Sequence, residues 1–485
     1  MPDHFYRFRS AKALLGPYDE DKGQFDELER QEIYFSHPSE LNDAMEGFKD
    51  LFWQGDEIVW RNLLRHYLYC LMMASHMVVS SAATFTRSNC DPIIHQTPDD
   101  LPEAPVRAVY QEIRDAFFAH QVPNDLVSAL SARATPVRRE ELAYYLRAVS
   151  PLTLPLILSA TMKHGAGEQI ELPRDADGDE LGTRALDSLG AFLKHPGYGR
   201  MPDVAAIGSE LVFMQTGLIQ DSSFAWTAEQ AAVMFLTRDF PAYYVELLEK
   251  LVYPDWHAAC FVGDPVDPTM WGGYGDGHKG VCLKFSAPAN STGTPGLSLW
   301  RIQGWSGSRD GVTANYAYVP HQFEEVRYTH DYPEIDFFAS LGTVLMPKLT
   351  GFWYVSPDGK LSASSDKIFK NEEEWRRHYW DTFRIGTTSK TSEWSHEREY
   401  RLILTSNLQR FDDKPSRKLK YRFSDLAGIA FGMKTPAEDK IRIIKILAQK
   451  CRSEGRTDFE FYQARYSRQA QKVELAPLSL LTVNP

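Results

Sequence analysis

A long stretch of helical periodicity separates two stretches of strands and turns, and this arrangement constrains the fold more than any other feature. Residues 56–250 are mostly helical in pattern, with apolar side chains at helical spacing between 106 and 117. A further helix is predicted over 140–159, interrupted at Pro151 and Pro155. From about Pro254, short apolar runs and Gly/Pro turns replace this pattern. We therefore predict an α+β fold in which 1–55 and 251–485 supply the strands and 56–250 forms an all-helical segment.

The composition excludes several classes of protein. The formal net charge is -12, from 53 basic and 65 acidic residues. The chain as a whole therefore lacks the positive charge that is typical of nucleic-acid-binding proteins, and only a local basic patch is left open. Five scattered cysteines without CxxC spacing argue against a disulfide framework or a structural zinc site. The most apolar run, Tyr67–Val79, is too short to span a bilayer. We expect a cytoplasmic protein with no membrane partner.

An acidic row stands at the start of a late apolar strand. From Tyr400 the sequence is typical of a buried strand, and in such a strand Glu397, Glu399 and Arg401 share one face. Two carboxylates beside a guanidinium can orient a hydroxyl, stabilise a cationic centre or hold a metal. The same row can also be a salt-bridge ladder on an edge strand, and the spacing alone leaves both interpretations open.

Two other segments carry candidate site residues. Asn42 and Asp43 follow a short strand and either cap a turn or reach the site, where Glu46 would share their face. In a later Gly-rich segment, Trp271, Tyr274 and His278 recur at helical spacing. They can form a wall for a flat ring. Equally, the Trp and Tyr can be core residues beside a hydrogen-bonded histidine.

Four pieces in this order resemble the bacterial domain-of-unknown-function family numbered 2971, whose members are often associated with defence systems or prophages. They are the segment 42–46, the segment Met270–Gly280, the stretch Trp394–Arg401 and the Gly-x-x-Phe-Gly run at 428–432. The resemblance covers about 4–50 and 255–475, and it supplies no activity. We therefore take function from the site itself.

A more distant similarity is to ADP-ribosyltransferases of the Arg-Ser-Glu type. Tyr6-Arg7 matches their opening aromatic-Arg strand, and Glu397-x-Glu399 matches their late Glu-x-Glu strand. The expected Ser-rich strand is poorly matched, because 260–263 reads Cys-Phe-Val-Gly. The similarity implies an ADP-ribosyltransferase-like core of mixed, mainly antiparallel small sheets, built from 1–55 and 251–485. Residues 56–250 are much longer than the usual connection in the family numbered 2971, so that resemblance implies that they are a large all-helical insertion.

This similarity implies an enzyme that uses NAD as its substrate, an ADP-ribosyltransferase or NAD glycohydrolase acting as a toxin or phage-defence effector. Glu399 would stabilise the oxocarbenium-like state and Glu397 would act as the base. His278 would bind a phosphate or shuttle a proton. The remaining positions would contact NAD, with no metal expected: Tyr6, Arg7, Asn42, Asp43, Glu46, Trp271, Tyr274 and Arg401.

Two alternatives remain open. Asn42, Asp43, Glu46, Glu397 and Glu399 offer enough oxygen ligands for the magnesium of a metal-dependent nuclease or phosphodiesterase. The chain can also be a non-enzymatic sensor. In each case we expect a regulatory partner on the helical insertion, and for the transferase a protein or nucleic-acid acceptor. All enzymatic versions require three distant parts of the chain to converge on one cleft: the opening arginine Arg7, the Gly-rich segment with His278, and the late acids.

Overall fold

A computed structural model describes residues 2–16, 26–81, 86, 91–102, 105–165, 178–195, 202–287, 294–308, 311–406 and 409–481. The chain divides into two compact units. Unit 1 comprises Met1–Phe48, Pro254–Tyr332 and Arg384–Pro485, and unit 2 comprises Lys49–Tyr253 and Pro333–Phe383.

The strands, in chain order, are β1 (His4–Arg9), β2 (Glu32–Tyr34), β3 (Asp50–Trp53), β4 (Val137–Arg138), β5 (Trp256–Val262), β6 (Val281–Ser286), β7 (Gly296–Ser308), β8 (Gly311–Gln322), β9 (Glu324–Glu325), β10 (Arg327–Tyr328), β11 (Glu334–Asp336), β12 (Ser389–Lys390), β13 (Glu399–Thr405), β14 (Lys418–Tyr421), β15 (Leu426–Phe431), β16 (Glu460–Ser467) and β17 (Lys472–Pro477).

The α-helices are α1 (Ala11–Leu15), α2 (Glu27–Arg30), α3 (Glu57–Ser81), α4 (Val106–Ala119), α5 (Gln121–Ser131), α6 (Arg139–Lys163), α7 (Gly178–Leu193), α8 (Pro202–Ser223), α9 (Ala228–Met234), α10 (Phe240–Val252), α11 (Pro268–Gly273), α12 (Met346–Lys348), α13 (Asp366–Phe369), α14 (Glu372–Thr387) and α15 (Ala437–Glu454).

Unit 1 is organised around a mixed sheet in which β1 and β13 flank the central strand β5. The strand order is β17-β16-β15-β6-β1-β5-β13-β9, and every neighbouring pair except β15–β16 is antiparallel. A second sheet has the order β2-β14-β7-β8 and is antiparallel throughout. Apolar side chains from both sheets, from α1 and from α15 form one continuous core. The predicted mixture of helices and mainly antiparallel sheets is confirmed.

Unit 2 is mostly helical. The helix predicted between 106 and 117 is α4, and it buries Val109, Tyr110, Ile113 and Phe117. The apolar run from Tyr67 lies within the buried helix α3, as predicted. The predicted interruption of the helix at Pro151 and Pro155 is wrong, because α6 runs through both prolines.

Residues 333–383 belong to unit 2, although the sequence boundary placed them in the second core segment. The reason lies in two sets of contacts. Strand β11 pairs in parallel with β3, bringing Ile335 opposite Leu51. Phe337 and Phe338 then pack against Trp53 and Trp60, respectively. Because these partners are distant in sequence, no local pattern indicates the association.

One helix among the described residues is long and apolar enough to cross a bilayer, namely α6. Half of its most apolar window is buried inside unit 2, where α4, α7, α8 and α10 pack against it. The core helix of a soluble protein passes the same test, so α6 is weak evidence for a membrane span. A cytoplasmic location stays a prediction.

Truncating a core residue of β13 tests how far unit 1 depends on this strand. Leu404 is fully buried, so Leu404→Ala should lower the free energy of unfolding of unit 1 by about 2–5 kcal/mol. Hydrogen exchange followed by mass spectrometry reports this on peptides of unit 1. Leu480→Ala is the control, since Leu480 is 99% exposed. Equal protection in both variants would contradict the packing described here.

Candidate functional site

The acidic row lies where a turn enters β13. Glu397 ends a 3-10 turn, Ser392–Glu397, and Arg398 adopts a left-handed conformation with φ of 46°. Glu399 then begins β13, and Arg401 follows on the same face of the strand. The sequence prediction treated Glu397 as part of that face. The structure instead places Glu397 in the turn before the strand. The side chains of Glu397, Glu399 and Arg401 are nevertheless all buried.

Lys390 of β12 lies among the carboxylates. Its ammonium Nζ is 2.6 Å from Oε2 of Glu397 and 3.4 Å from Oε2 of Glu399, and it donates to Oδ1 of Asn42 at 3.1 Å. The residue is 1% exposed. Sequence reasoning missed Lys390, because a lone lysine among threonines and serines resembles a solvated position.

Arg401 joins two carboxylates from opposite ends of the chain. Its Nε donates to Oε1 of Glu399 at 2.8 Å, and its Nη2 donates to Oε1 of Glu46 at 2.6 Å. Nη1 donates to the carbonyl of Thr387 at 2.9 Å. We call Glu46, Lys390, Glu397, Glu399 and Arg401 the charge cluster.

The segment 42–46 supplies two kinds of contact. The side-chain amide of Asn42 donates to Oε1 of Glu397 at 3.3 Å and to the hydroxyl of Tyr274. Tyr274 in turn donates to Glu397. Asp43 instead accepts hydrogen bonds from the backbone N–H and hydroxyl of Thr391, each at 2.9 Å. Asn42 therefore belongs to the site, and Asp43 fixes the loop that carries Lys390.

A cavity of about 250 Å³ adjoins the charge cluster, and we call it the site cavity. It brings together residues from all three stretches of unit 1. The sequence-predicted residues that line it are Tyr6, Arg7, Asn42, Glu46, Tyr274, Glu397 and Glu399, and Lys390 and Cys260 line it as well. The late acids and the opening arginine therefore meet at one cleft, and the Gly-rich segment reaches it through Tyr274, whereas His278 does not line it.

Four predicted residues do not line the site cavity: Asp43 and Arg401, whose contacts are given above, and Trp271 and His278. Trp271 is fully buried, packs edge-on against Phe8 at 4.9 Å and donates its indole N–H to the carbonyl of Pro265 at 2.7 Å. It is a core residue, as the alternative interpretation allowed. His278 has a φ of 69°, and its carbonyl accepts from the N–H of Lys434 at 2.9 Å. What the structure shows for His278 is a backbone role in holding this turn.

Arg7 lines the cavity but is largely occupied by the protein. Its Nη2 donates to the carbonyl of Tyr34 at 2.8 Å and its Nη1 to that of Cys260 at 3.4 Å. Burial lowers the pKa of Arg7 to about 10, which leaves it charged at neutral pH. Its Nε is buried and has no hydrogen-bond partner.

Opposing effects set the ionisation of the charge cluster. Burial opposes the charge on Glu399, but Arg401 and Lys390 outweigh it and lower its pKa to about 2. For Glu46 burial prevails over the attraction of Arg401, and its pKa is raised. Burial also opposes the charge on Lys390, yet the surrounding glutamates raise its pKa. Glu399 is thus a fixed anion at neutral pH.

A larger cavity of about 500 Å³ lies in unit 2, walled by Trp375, Tyr379 and Asp336 among others. None of the sequence-predicted site residues lines it. We place the candidate site at the smaller cavity, because the buried ionisable side chains that shift one another's pKa values lie there. Within the described ranges, no group of three or more His, Cys, Asp or Glu side chains is arranged to hold a metal ion.

Comparisons with known proteins identify no relative. No family model matches the chain, and neither the curated proteins nor the solved structures give a significant match. The resemblance to the family numbered 2971 stays a prediction, and an ADP-ribosyltransferase-like core is not supported. The fold here is described by its own strand order.

The stability of unit 1 should depend on the ionisation of Glu399 in acid. Its folded pKa, about 2, is below its ordinary value of 4.5, so it stabilises the fold above pH 4.5 and loses that contribution as the pH falls towards 2. The contribution is on the order of 3 kcal/mol. In thermal unfolding, the melting temperature of the wild type should therefore approach that of Glu399→Gln as the pH falls from 6 to 2.5. A constant difference over that range would contradict this assignment.

Removing the ammonium of Lys390 should destabilise unit 1. Lys390→Met leaves Glu397 and Glu399 buried with one cation fewer, which costs about 3–5 kcal/mol. Lys279→Met changes an exposed lysine of the same unit and serves as the control. The double variant Lys390→Met, Glu397→Gln should recover part of the loss, measured by hydrogen exchange in unit 1. A double variant no more stable than Lys390→Met would show that the two side chains are not coupled.

Proposed function

We propose that this chain is an enzyme that cleaves the nicotinamide–ribose bond of NAD, as a glycohydrolase or an ADP-ribosyltransferase. The observation that carries the proposal is a buried carboxylate, Glu399, held ionised on the wall of a cavity. Cleavage of this bond develops positive charge on the ribosyl ring, and a fixed anion beside that ring stabilises it. The proposal rests on the site and not on any likeness of fold.

The charge cluster supports a chemical role for the site. Several buried charges are rarely needed for stability, because desolvation offsets most of their attraction. Groups with strongly shifted pKa values beside a cavity are candidates for function. Here Arg401 and Lys390 position Glu399 at the cavity wall with hydrogen bonds on both oxygens. Such support preorganises the carboxylate before a substrate arrives.

The size of the cavity indicates how NAD would bind. Sites for whole drug-sized ligands are roughly 300–1,000 Å³, so a cavity of about 250 Å³ accommodates one end of a dinucleotide. We assign it to nicotinamide and its ribose. Tyr6 and Tyr274 offer aromatic faces, and Arg7 places a positive charge at the cavity wall, where it attracts a phosphate.

The reaction would proceed by departure of neutral nicotinamide with the bonding electron pair. Glu399 stabilises the oxocarbenium-like ribosyl group that remains. Glu397 then takes the proton from the attacking water or acceptor. Its hydrogen bonds from Tyr274 and Lys390 fix its position for this step. Transfer to a protein or nucleic-acid acceptor and a role in toxicity or phage defence are part of the proposal.

The magnesium-dependent alternative has less support. A divalent cation would need the space between Glu397 and Glu399, and the ammonium of Lys390 lies within 3.4 Å of both. A lysine in this position already neutralises the charge that a metal would balance. We therefore do not carry the nuclease forward.

Nicotinamide release tests the proposal. Full-length protein incubated with NAD should release nicotinamide, measured by liquid chromatography, and Glu399→Gln should reduce the rate at least ~100-fold. Glu325→Gln, which changes an exposed carboxylate on the neighbouring strand β9, should leave the rate unchanged. Tyr274→Phe changes a side chain that is 38% exposed, and Glu397 keeps its ion pair with Lys390. This variant should also slow release. No release by the wild type, or equal release by Glu399→Gln, would refute the proposal.

A further inference from the structure

The four-stranded sheet of unit 1 has one face in the core and one face in solvent. Ile33, Leu299, Leu419 and Tyr421 belong to the core. Side chains alternate along each strand, so the neighbouring positions face outward. This outer face is separate from the residues that line the site cavity.

Aromatic side chains gather on the outer face of β7 and β8. Trp300 lies opposite Tyr318, and Trp305 lies opposite Ala314. Tyr318, Tyr316 and Ala314 alternate along β8, so Trp300 and Trp305 share their face. The irregularity in register between Ile302 and Gly304 makes this possible, because it shifts Trp305 onto the side of Trp300. We call Trp300, Trp305, Tyr316 and Tyr318 the aromatic face.

The rings are exposed and mutually arranged. Trp300, Trp305 and Tyr316 are 42%, 52% and 51% exposed. The rings of Trp300 and Tyr316 are nearly parallel, with centroids 6.3 Å apart, and Tyr318 meets Trp300 edge-on at 5.2 Å. Large aromatic residues grouped on an exposed sheet surface indicate a binding site, whereas single exposed apolar residues do not.

Basic side chains flank the aromatic face. Lys420 is exposed and lies directly across from Trp300 in the sheet. The guanidinium of Arg422 lies 4.6 Å above the ring of Tyr318. Within the four strands, Glu32, opposite Lys420, is the acidic residue on this face. The local charge is therefore positive although the whole chain carries -12.

We propose that the aromatic face, with Lys420 and Arg422, binds single-stranded nucleic acid. Unpaired bases stack on aromatic rings, and the flanking cations contact the phosphates. A duplex hides the faces of its bases, so this arrangement favours single strands. The proposal concerns binding only and holds whether or not the chain cleaves NAD.

Fluorescence anisotropy with labelled 12-nucleotide single strands of RNA and of DNA tests the proposal on the full-length protein without NAD. We expect binding of single strands in preference to the matching duplex, and weaker binding as salt rises from 50 to 200 mM. The double variant Trp300→Ala, Tyr318→Ala should lower affinity on the order of 10-fold or more. Tyr466→Ala, an exposed tyrosine of the other sheet, should bind as the wild type does.

A second variant separates the charge from the rings. Lys420→Gln, Arg422→Gln should weaken binding and reduce its salt dependence by about one released ion per lost phosphate contact. Lys472→Gln, an exposed lysine on β17, is the control. Three results would overturn the proposal: no binding by the wild type at low salt, unchanged affinity in the aromatic variant, or a preference for duplex. A fourth result would also overturn it: a dimer, detected by light scattering, that Trp300→Ala disperses would identify a second copy as the occupant.

Discussion

Two buried cations, Lys390 and Arg401, determine how unit 1 is assembled around its site. Three carboxylates are withdrawn from water there, and without the cations their repulsion and desolvation would be prohibitive. Arg401 bonds Glu46 from the first stretch and Glu399 from the last. Lys390 bonds Glu397 and also Asn42 from the first stretch. The opening segment is thus docked by specific ionic hydrogen bonds and not by apolar contact alone.

Such a cluster is better explained by specificity and chemistry than by stability. Apolar side chains of similar volume commonly stabilise a fold as well as a buried ion pair does. Ion pairs also supply directional hydrogen bonds, and each of these constrains the position of a carboxylate oxygen. The consequence is visible in Glu399, which stays ionised at a cavity wall although it is 4% exposed. A hydrophobic replacement would preserve the packing and lose that anion.

Local pattern was sufficient for some of these features and insufficient for others. Strand alternation correctly placed Glu399 and Arg401 on one face, and helical spacing correctly placed Tyr110 and its neighbours in a core. The same rules left Trp271 ambiguous, because burial depends on what packs against it. Lys390 gave no signal, since its partners come from residues distant in sequence. Tertiary pairing also overrode local cues at 333–383, where β11 joins β3.

The division of unit 1 into three separated stretches has a consequence for its synthesis. Residues up to Phe48 emerge from the ribosome first, but the partners of Glu46 and Asn42 follow Arg384. Residues 49–253 of unit 2 are made in between. The site cavity is therefore incomplete on a nascent chain until Lys390, Glu397 and Glu399 have been translated.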